Sequence, residues 1–240
     1  MGITKYYHHQ GHIDELIDQH PALIKFKKSA LNRSSNCQWT DTESNQVGHH
    51  IMVSFFGKSG YGKSSTVNAL FGRSILETSD VMACTKRCDS LDFKISGNYF
   101  LSFADYPGIG ESEYQDREYL EMYKSFLEYS QIVVYVLRAD MRDYSIDEQA
   151  FRTVFYKTKK QVIFALNCCD KIEPVNRKNT NTPSHEQLSN INNKIRALEK
   201  IFKPNNPIIP YSAVTGWNLK ALSEGIVDVA SKCDSISFNS

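Results

Sequence analysis

Gly57-Lys58-Ser59-Gly60-Tyr61-Gly62-Lys63-Ser64 spells a complete G-x-x-x-x-G-K-[ST] phosphate loop, and its flanks decide the fold. The run before it, His50-Ile-Met-Val-Ser-Phe-Phe56, is apolar and β-prone and reads as a buried strand. The run after it, Ser65-Thr-Val-Asn-Ala-Leu-Phe71, reads as the first turns of a helix. Gly57, Gly60 and Gly62 let the backbone curl so that successive N–H groups face one anion. The helix N-terminus adds partial positive charge behind them. Lys63 is placed to reach the β- and γ-phosphates, and the Ser64 hydroxyl to ligate Mg²⁺. A plain glycine-rich turn is the competing account, but all four fixed positions and both flanks agree with the phosphate loop. The implied ligand is a nucleoside polyphosphate.

From His50 onward strand and helix signals alternate, which predicts a Rossmann-like α/β domain. Strands are expected at 50–56, 89–95, 99–104, 131–138, 161–167 and 207–211. Ser96-Gly97-Asn98 joins the second and third of these as a hairpin, so one antiparallel edge strand should accompany a mostly parallel six-stranded sheet. Capping-box spacing marks helix starts at Ser145 with Glu148 and at Ser184 with Gln187. After Ser184, Leu188, Ile191, Ile195, Leu198 and Phe202 fall on one helical stripe, expected to face the core. The polar, Asn-rich run 173–184 reads as a surface insertion. Residues 1–48 read as an N-terminal helical extension and linker, with a broken amphipathic pattern through Ile13, Leu16, Ile17, Leu23 and Ile24. Residues 49–232 form the nucleotide domain and 233–240 a C-terminal tail.

Composition narrows the class. The chain has 240 residues, 41% hydrophobic and 23% charged, enough for one α/β domain with a sizeable core. Lys plus Arg total 28 against 27 Asp plus Glu, so no global field draws it to nucleic acid or membrane. Local basic groups such as Lys157-Thr-Lys-Lys160 read as solvated surface. Six cysteines without metal-ligand or framework spacing fit reduced thiols, and no apolar run approaches a membrane span. A cytoplasmic protein that avoids the membrane is expected. His8-His9 and His49-His50 are isolated pairs, a weak basis for a metal site.

Two later motifs choose the base and the chemistry. Strand 99–104 runs into Asp105-Tyr-Pro-Gly108, a D-x-x-G whose carboxylate is placed to hold Mg²⁺ through water and whose Gly108 N–H can meet the γ-phosphate. Strand 161–167 ends in Asn167-Cys-Cys-Asp170-Lys171, an N-x-x-D. Asp170 offers two acceptor oxygens to N1–H and the exocyclic amine of guanine, a pair that adenine lacks. A missing partner for a buried polar group costs about 1–3 kcal/mol, so the preference for guanine is strong. Asn167 would brace neighbouring loops, and in Tyr211-Ser-Ala-Val214 the Ala213 N–H is assigned to guanine O6.

The order of these motifs resembles the Era-like branch of the translation-factor class of GTPases over residues 50–230. More narrowly, Asn68-Ala-Leu-Phe71, Ser79-Asp-Val-Met-Ala-Cys-Thr85, Asp170-Lys-Ile-Glu-Pro174 and Thr215-Gly-Trp217 are similar to a small bacterial, prophage-type subfamily described as ribosome-associated GTPases. The resemblance implies a G domain that binds GTP and GDP with Mg²⁺ and hydrolyses GTP slowly. It implies nucleotide contacts from Gly57, Lys58, Ser59, Gly60, Tyr61, Gly62, Lys63, Ser64, Ser65, Asp105, Gly108, Asn167, Asp170, Lys171, Ser212, Ala213 and Val214. Lys63, Thr85 and Gly108 are the expected catalytic set, and Ser64, Thr85 and Asp105 the expected Mg²⁺ set. Thr85 is the switch I threonine by family pattern, since it precedes the basic Lys86; Thr78 and Ser79 occupy the same stretch. The large ribosomal subunit enters as a partner by resemblance only, and oligomeric state is not legible.

Three departures qualify this. Ile109 stands where Ras-like enzymes carry the glutamine that orients the attacking water, which predicts slow turnover. Gly60 stands where potassium-activated relatives carry asparagine, so no strong potassium dependence is expected. Cys168 replaces the lysine of N-K-x-D and removes its packing over the base, which predicts micromolar guanine affinity. Cys168 and Cys169 are expected to be inert. A GTP-dependent binding module with negligible turnover is the alternative reading. A P-loop ATPase or kinase leaves Asn167, Asp170 and Ser212-Ala213 unexplained.

Overall fold

The computed structural model describes residues 8–12, 37–40, 47–72, 74, 76, 89–96, 99–158, 160–175 and 181–232. Its strands are β1 (His8–His12), β2 (Cys37–Thr40), β3 (Val47–Gly57), β4 (Asp89–Ser96), β5 (Tyr99–Asp105), β6 (Ile132–Arg138), β7 (Gln161–Asn167) and β8 (Ile209–Pro210). Its helices are α1 (Lys63–Phe71), α2 (Glu113–Leu127), α3 (Ser145–Val154), α4 (His185–Phe202) and α5 (Leu219–Lys232). They build one sheet in the order β1-β4-β5-β3-β6-β7-β8, with β2 paired to β3.

All six expected strands are present, mostly parallel, with β4 antiparallel to β5. Two strands are added by the N-terminal segment. β1 pairs in parallel with β4, so the antiparallel strand is not at the edge as expected; β1 covers its outer side. β2 runs antiparallel along residues 47–50 of β3, on the edge that β6 takes over from Val53 onward. The amphipathic pattern 13–24 and the tail 233–240 lie outside the described residues. β8 is shorter than expected because Pro207 and Pro210 withhold ladder N–H groups.

The core explains the sequence of β6, Ile-Val-Val-Tyr-Val-Leu-Arg, in which every residue but the last is buried. A central parallel strand is covered on both faces, so its pattern is continuous rather than alternating. In β3 adjacent side chains take opposite faces. Phe55 joins Phe103, which meets Phe71 and Phe93 on the α1 side. Phe56 stacks on Tyr106 at 4.4 Å and meets Tyr123 of α2 and Phe155 beyond α3.

Helix starts follow local hydrogen bonding. Ser184 caps α4 by accepting from Gln187 N at 3.1 Å, as its spacing predicts. The expected box at Ser145 and Glu148 does not form: Ser145 is already helical, and its N–H donates to Asp143 Oδ1 at 2.9 Å. Ser112 caps α2 through Gln115 N. On α4, Ile191, Leu198 and Phe202 are buried and Ile195 packs against the core, but Leu188 is 38% exposed. Gln187 takes the inward place in that turn.

Candidate functional site

The phosphate loop leaves β3 at Gly57 and enters α1 at Lys63, at the carboxyl ends of the parallel strands, where open α/β sheets bind ligands. Two glycines are dictated by neighbours as well as by positive φ. A Cβ on Gly57 would lie 2.4 Å from the Val136 carbonyl oxygen, and one on Gly62 would lie 2.5 Å from Asn167 Nδ2. Lys63 is buried, and its ammonium donates back to the carbonyls of Gly57 and Lys58, both at 3.2 Å. Burial holds its pKa below the ordinary lysine value, opposed by Asp105, Glu111 and Asp147. A buried ammonium held chiefly by carbonyl oxygens suits a site completed by an anion.

The second motif closes over the first. Ser64 Oγ donates to Asp105 Oδ2 at 2.5 Å, which brings two hard oxygen donors together as Mg²⁺ requires. Gly108 lies against Ser59: an added Cβ would meet Ser59 Cα at 2.4 Å and Lys63 Nζ at 2.9 Å. Ser59 N donates to the Ile109 carbonyl at 2.8 Å, and Lys58 pairs with Ile109 as a parallel β-bridge. The Ile109 side chain is 1% exposed and belongs to the core. Tyr123 reaches up from α2 to bond the Pro107 carbonyl, and Gly110 N donates to Asp116 Oδ1 at 2.7 Å. The expected switch I residue Thr85, and with it Thr78 and Ser79, lies outside the described residues.

Asn167 ties the loop of residues 57–64 to the loop after β8. Its Nδ2 donates to the Tyr61 carbonyl at 3.0 Å, and its Oδ1 accepts from Ala213 N at 3.0 Å. The Ala213 N–H assigned from sequence to guanine O6 is thus bonded to Asn167, a brace between loops. Asp170 follows in a short 3-10 turn, Cys169–Lys171, and its Oδ1 is buried with no hydrogen-bond partner among the described residues. A buried carboxylate oxygen in that position needs a donor from a ligand or pays for its burial. Lys171 and Val214 are exposed, Val214 80% so, while Ser212 is buried and its Oγ accepts from Thr215 N. Burial pushes the Cys168 thiol up to about 11 and the Cys169 thiol to about 12, as inert cysteines require.

Three supporting side chains escaped the sequence reading. Gln187 Nε2 lies 2.8–3.3 Å from the carbonyls of Cys169, Asp170 and Ile172 and fixes the turn that carries Asp170. Arg138, paired with Asp140 at 2.7 Å, donates to the Gly60 carbonyl at 3.2 Å. Asp147 accepts from the Tyr61 hydroxyl at 3.0 Å. Only the Ser184–Gln187 spacing hinted at any of them. Among the described residues no His, Cys, Asp and Glu cluster of three or more could hold a metal, and no helix is long and apolar enough to cross a membrane.

Comparison with known proteins bears on the fold and on the family the chain resembles. The family described as 50S ribosome-binding GTPase matches residues 52–168. The chain is 34% identical over 186 residues to the uncharacterized protein YfjP of Escherichia coli K12, covering 76% of this chain and 63% of that protein. The structure of Aquifex aeolicus Era bound to GDP·AlF4⁻ superposes with a TM-score of 0.62 at 24% identity, over 75% of this chain and 56% of that one. That of Arabidopsis thaliana Toc33 with Mg²⁺ and GMPPNP gives 0.58 at 19% identity, over 91% of this chain and 92% of that one. The chain spans less than two thirds of the length of the first curated relatives it matches, 63% and 61%.

Proposed function

We propose that the chain is an Era-like P-loop GTPase that binds GTP and GDP with Mg²⁺ and hydrolyses GTP slowly as a molecular switch, a reading supported by the match of residues 52–168 to the family described as 50S ribosome-binding GTPase. The observation that carries the guanine reading is the buried Asp170 Oδ1 without a hydrogen-bond partner among the described residues. The phosphate reading rests on Lys63, buried beneath the loop with carbonyl partners.

In this account the amides of residues 57–65 cradle the phosphates, with Lys63 neutralising the β- and γ-oxygens. Ser64, Asp105 and Thr85 would hold Mg²⁺, and the ion when bound would supply positive charge against the phosphate oxygens. Asp170 accepts from guanine, and Asn167 keeps the base turn in register with the loop. Lys171, Ser212 and Val214 border the base. The Gly108 N–H would report the γ-phosphate to residues 105–116, and hydrolysis would release them. The reading carries a cytoplasmic location and, through the family's description, the large ribosomal subunit as a partner.

One observation favours a second reading, a GTP-dependent binding module with negligible turnover. Ile109 is directed into the core, so it neither orients water nor is poised to be replaced by a group that does. Phosphate release from Mg²⁺·GTP under multiple turnover, with and without purified large ribosomal subunits, separates the two. A slow rate that rises strongly with subunits supports the ribosome-linked switch. Absence of release in both conditions supports the binding module, and slow release unchanged by subunits removes the ribosome from the account.

A further inference from the structure

We infer that Asp147 is a positioning residue for the phosphate loop: from the first turn of α3 its carboxylate holds the Tyr61 hydroxyl and so sets the height of the loop beneath the nucleotide phosphates. The inference rests on the guanine-nucleotide reading above.

Tyr61 is a crossroads. Its N–H donates to the Lys58 carbonyl at 3.3 Å, its carbonyl accepts from Asn167 Nδ2 at 3.0 Å, and its hydroxyl donates to Asp147 Oδ2 at 3.0 Å. The first two bonds hold its backbone within the loop and against the base turn. The third runs down from the loop into the sheet-helix interface and is the only one made by its side chain among the described residues. Gly62 and Lys63, the next two residues, carry amides expected to meet phosphate, so a displaced Tyr61 displaces them.

Asp147 is built for this role. It is 0% exposed, an expensive place for a carboxylate, and among the described residues no salt bridge reaches it. Its other oxygen accepts from Tyr135 Oη of β6 at 3.3 Å, and the same hydroxyl lies 3.4 Å from the Asp147 carbonyl. Charged and titratable groups face it from each packed element: Lys58, Tyr61 and Lys63 on the loop, Tyr135 on β6, Tyr123 on α2 and Tyr144 at the start of α3.

As an ionised carboxylate, Asp147 accepts both phenolic protons. Once protonated it becomes a donor at one oxygen and no longer serves both phenols as acceptor. Burial, partly offset by Tyr61, Lys58 and Tyr135, pushes its carboxyl up to about 6, so this change falls just below neutrality. Loop geometry, and with it phosphate affinity, is therefore pH-dependent through a group that never touches the nucleotide.

The test is the dissociation constant of Mg²⁺·GDP from pH 5.5 to 8.0 for the wild type, Asp147→Asn and Tyr61→Phe. Titration of the nucleotide's own phosphates is common to all three and cancels in the ratios. At pH 8.0 each variant is expected to bind about tenfold more weakly, the worth of one hydrogen bond to a charged group. The ratios should shrink toward one at pH 5.5, where the wild-type carboxyl is largely protonated and no longer offers Tyr61 a charged acceptor. The GDP-to-ADP preference should be unchanged, because Asp170 is untouched. Ratios within twofold at pH 8.0, or ratios independent of pH, overturn the inference. If Asp147→Asn fails to fold by thermal melt, Tyr61→Phe, which keeps Asp147 and Tyr135 paired, decides alone. A wild type that binds no GDP at any pH fails the nucleotide reading itself, a result distinct from binding that the variants leave unaltered.

Discussion

The backbone N–H of Ser59 donates to the carbonyl of Ile109 at 2.8 Å, so the residue after D-x-x-G is stitched to the phosphate loop by its main chain. Its side chain meanwhile points the other way, into the core. Position 109 is thus a structural anchor in this chain.

Ile109→Gln should therefore fail to accelerate phosphate release. An amide placed in an apolar pocket costs about 2–3 kcal/mol, which lowers Tm by roughly 5–10 °C for a chain of this size. Turnover and a thermal melt on the same preparation check both parts. A faster enzyme with an unchanged Tm would mean that the side chain swings out into the site.

Asn68 anchors the start of the expected switch I stretch. Its amide donates to the Leu76 carbonyl at 2.8 Å and accepts from the Leu76 N–H at 2.9 Å, both buried. Asn68→Ala leaves two buried backbone groups without that partner, at a cost of about 2 kcal/mol, or a Tm lowered by roughly 4–8 °C. Asn68→Asp keeps one bond and should fall between. Equal melting temperatures for all three would show that the clamp contributes nothing.

Asp147 also leaves a mark on stability. Its folded-state pKa, about 6, lies above the 3.8 of an ordinary aspartate, with burial as the first cause. The folded protein therefore binds this proton more tightly than the unfolded chain. The stabilising contribution is complete below about pH 4 and is lost as pH rises through 6. Asparagine at this position does not titrate, so the Tm of Asp147→Asn minus that of the wild type should grow from pH 5 to pH 7.5. A constant difference would place the carboxyl pKa near its ordinary value.

The base site makes its own prediction. Asp170→Asn replaces one acceptor by a donor, so guanine binding should fall at least a hundredfold while xanthosine diphosphate, which offers a carbonyl where guanine has an amine, gains. Competition titrations with both nucleotides measure this. Undiminished GDP binding would move the base elsewhere.

What the sequence made legible follows from range. β6 up to Leu137 and all but the first two residues of β7 are buried and read as nearly unbroken apolar runs, so their existence and bounds were plain, whereas β3, expected over 50–56, extends to 47–57. The motif residues Lys63, Asp105, Asn167 and Asp170 converge because they lie at, or just beyond, the carboxyl ends of β3, β5 and β7. The polar His8-His9-Gln10-Gly11-His12 carries no strand pattern; β1 exists by pairing with β4, a long-range event that local propensity does not encode. Gln187 looked like half of a capping box and also braces the Asp170 turn, while Tyr61 and Asp147, 86 residues apart, share no local pattern. Side chains such as Asp147 and Gln187, which hold other residues in place, leave the faintest trace in sequence.

The central claim is that this loop and this turn together bind a guanine nucleotide. Calorimetric titration of the nucleotide-free protein with GDP and with ADP, both in Mg²⁺, tests it most directly. The account predicts one GDP per chain with micromolar affinity and ADP at least a hundredfold weaker. Equal affinity for the two, or no heat from either, would contradict it.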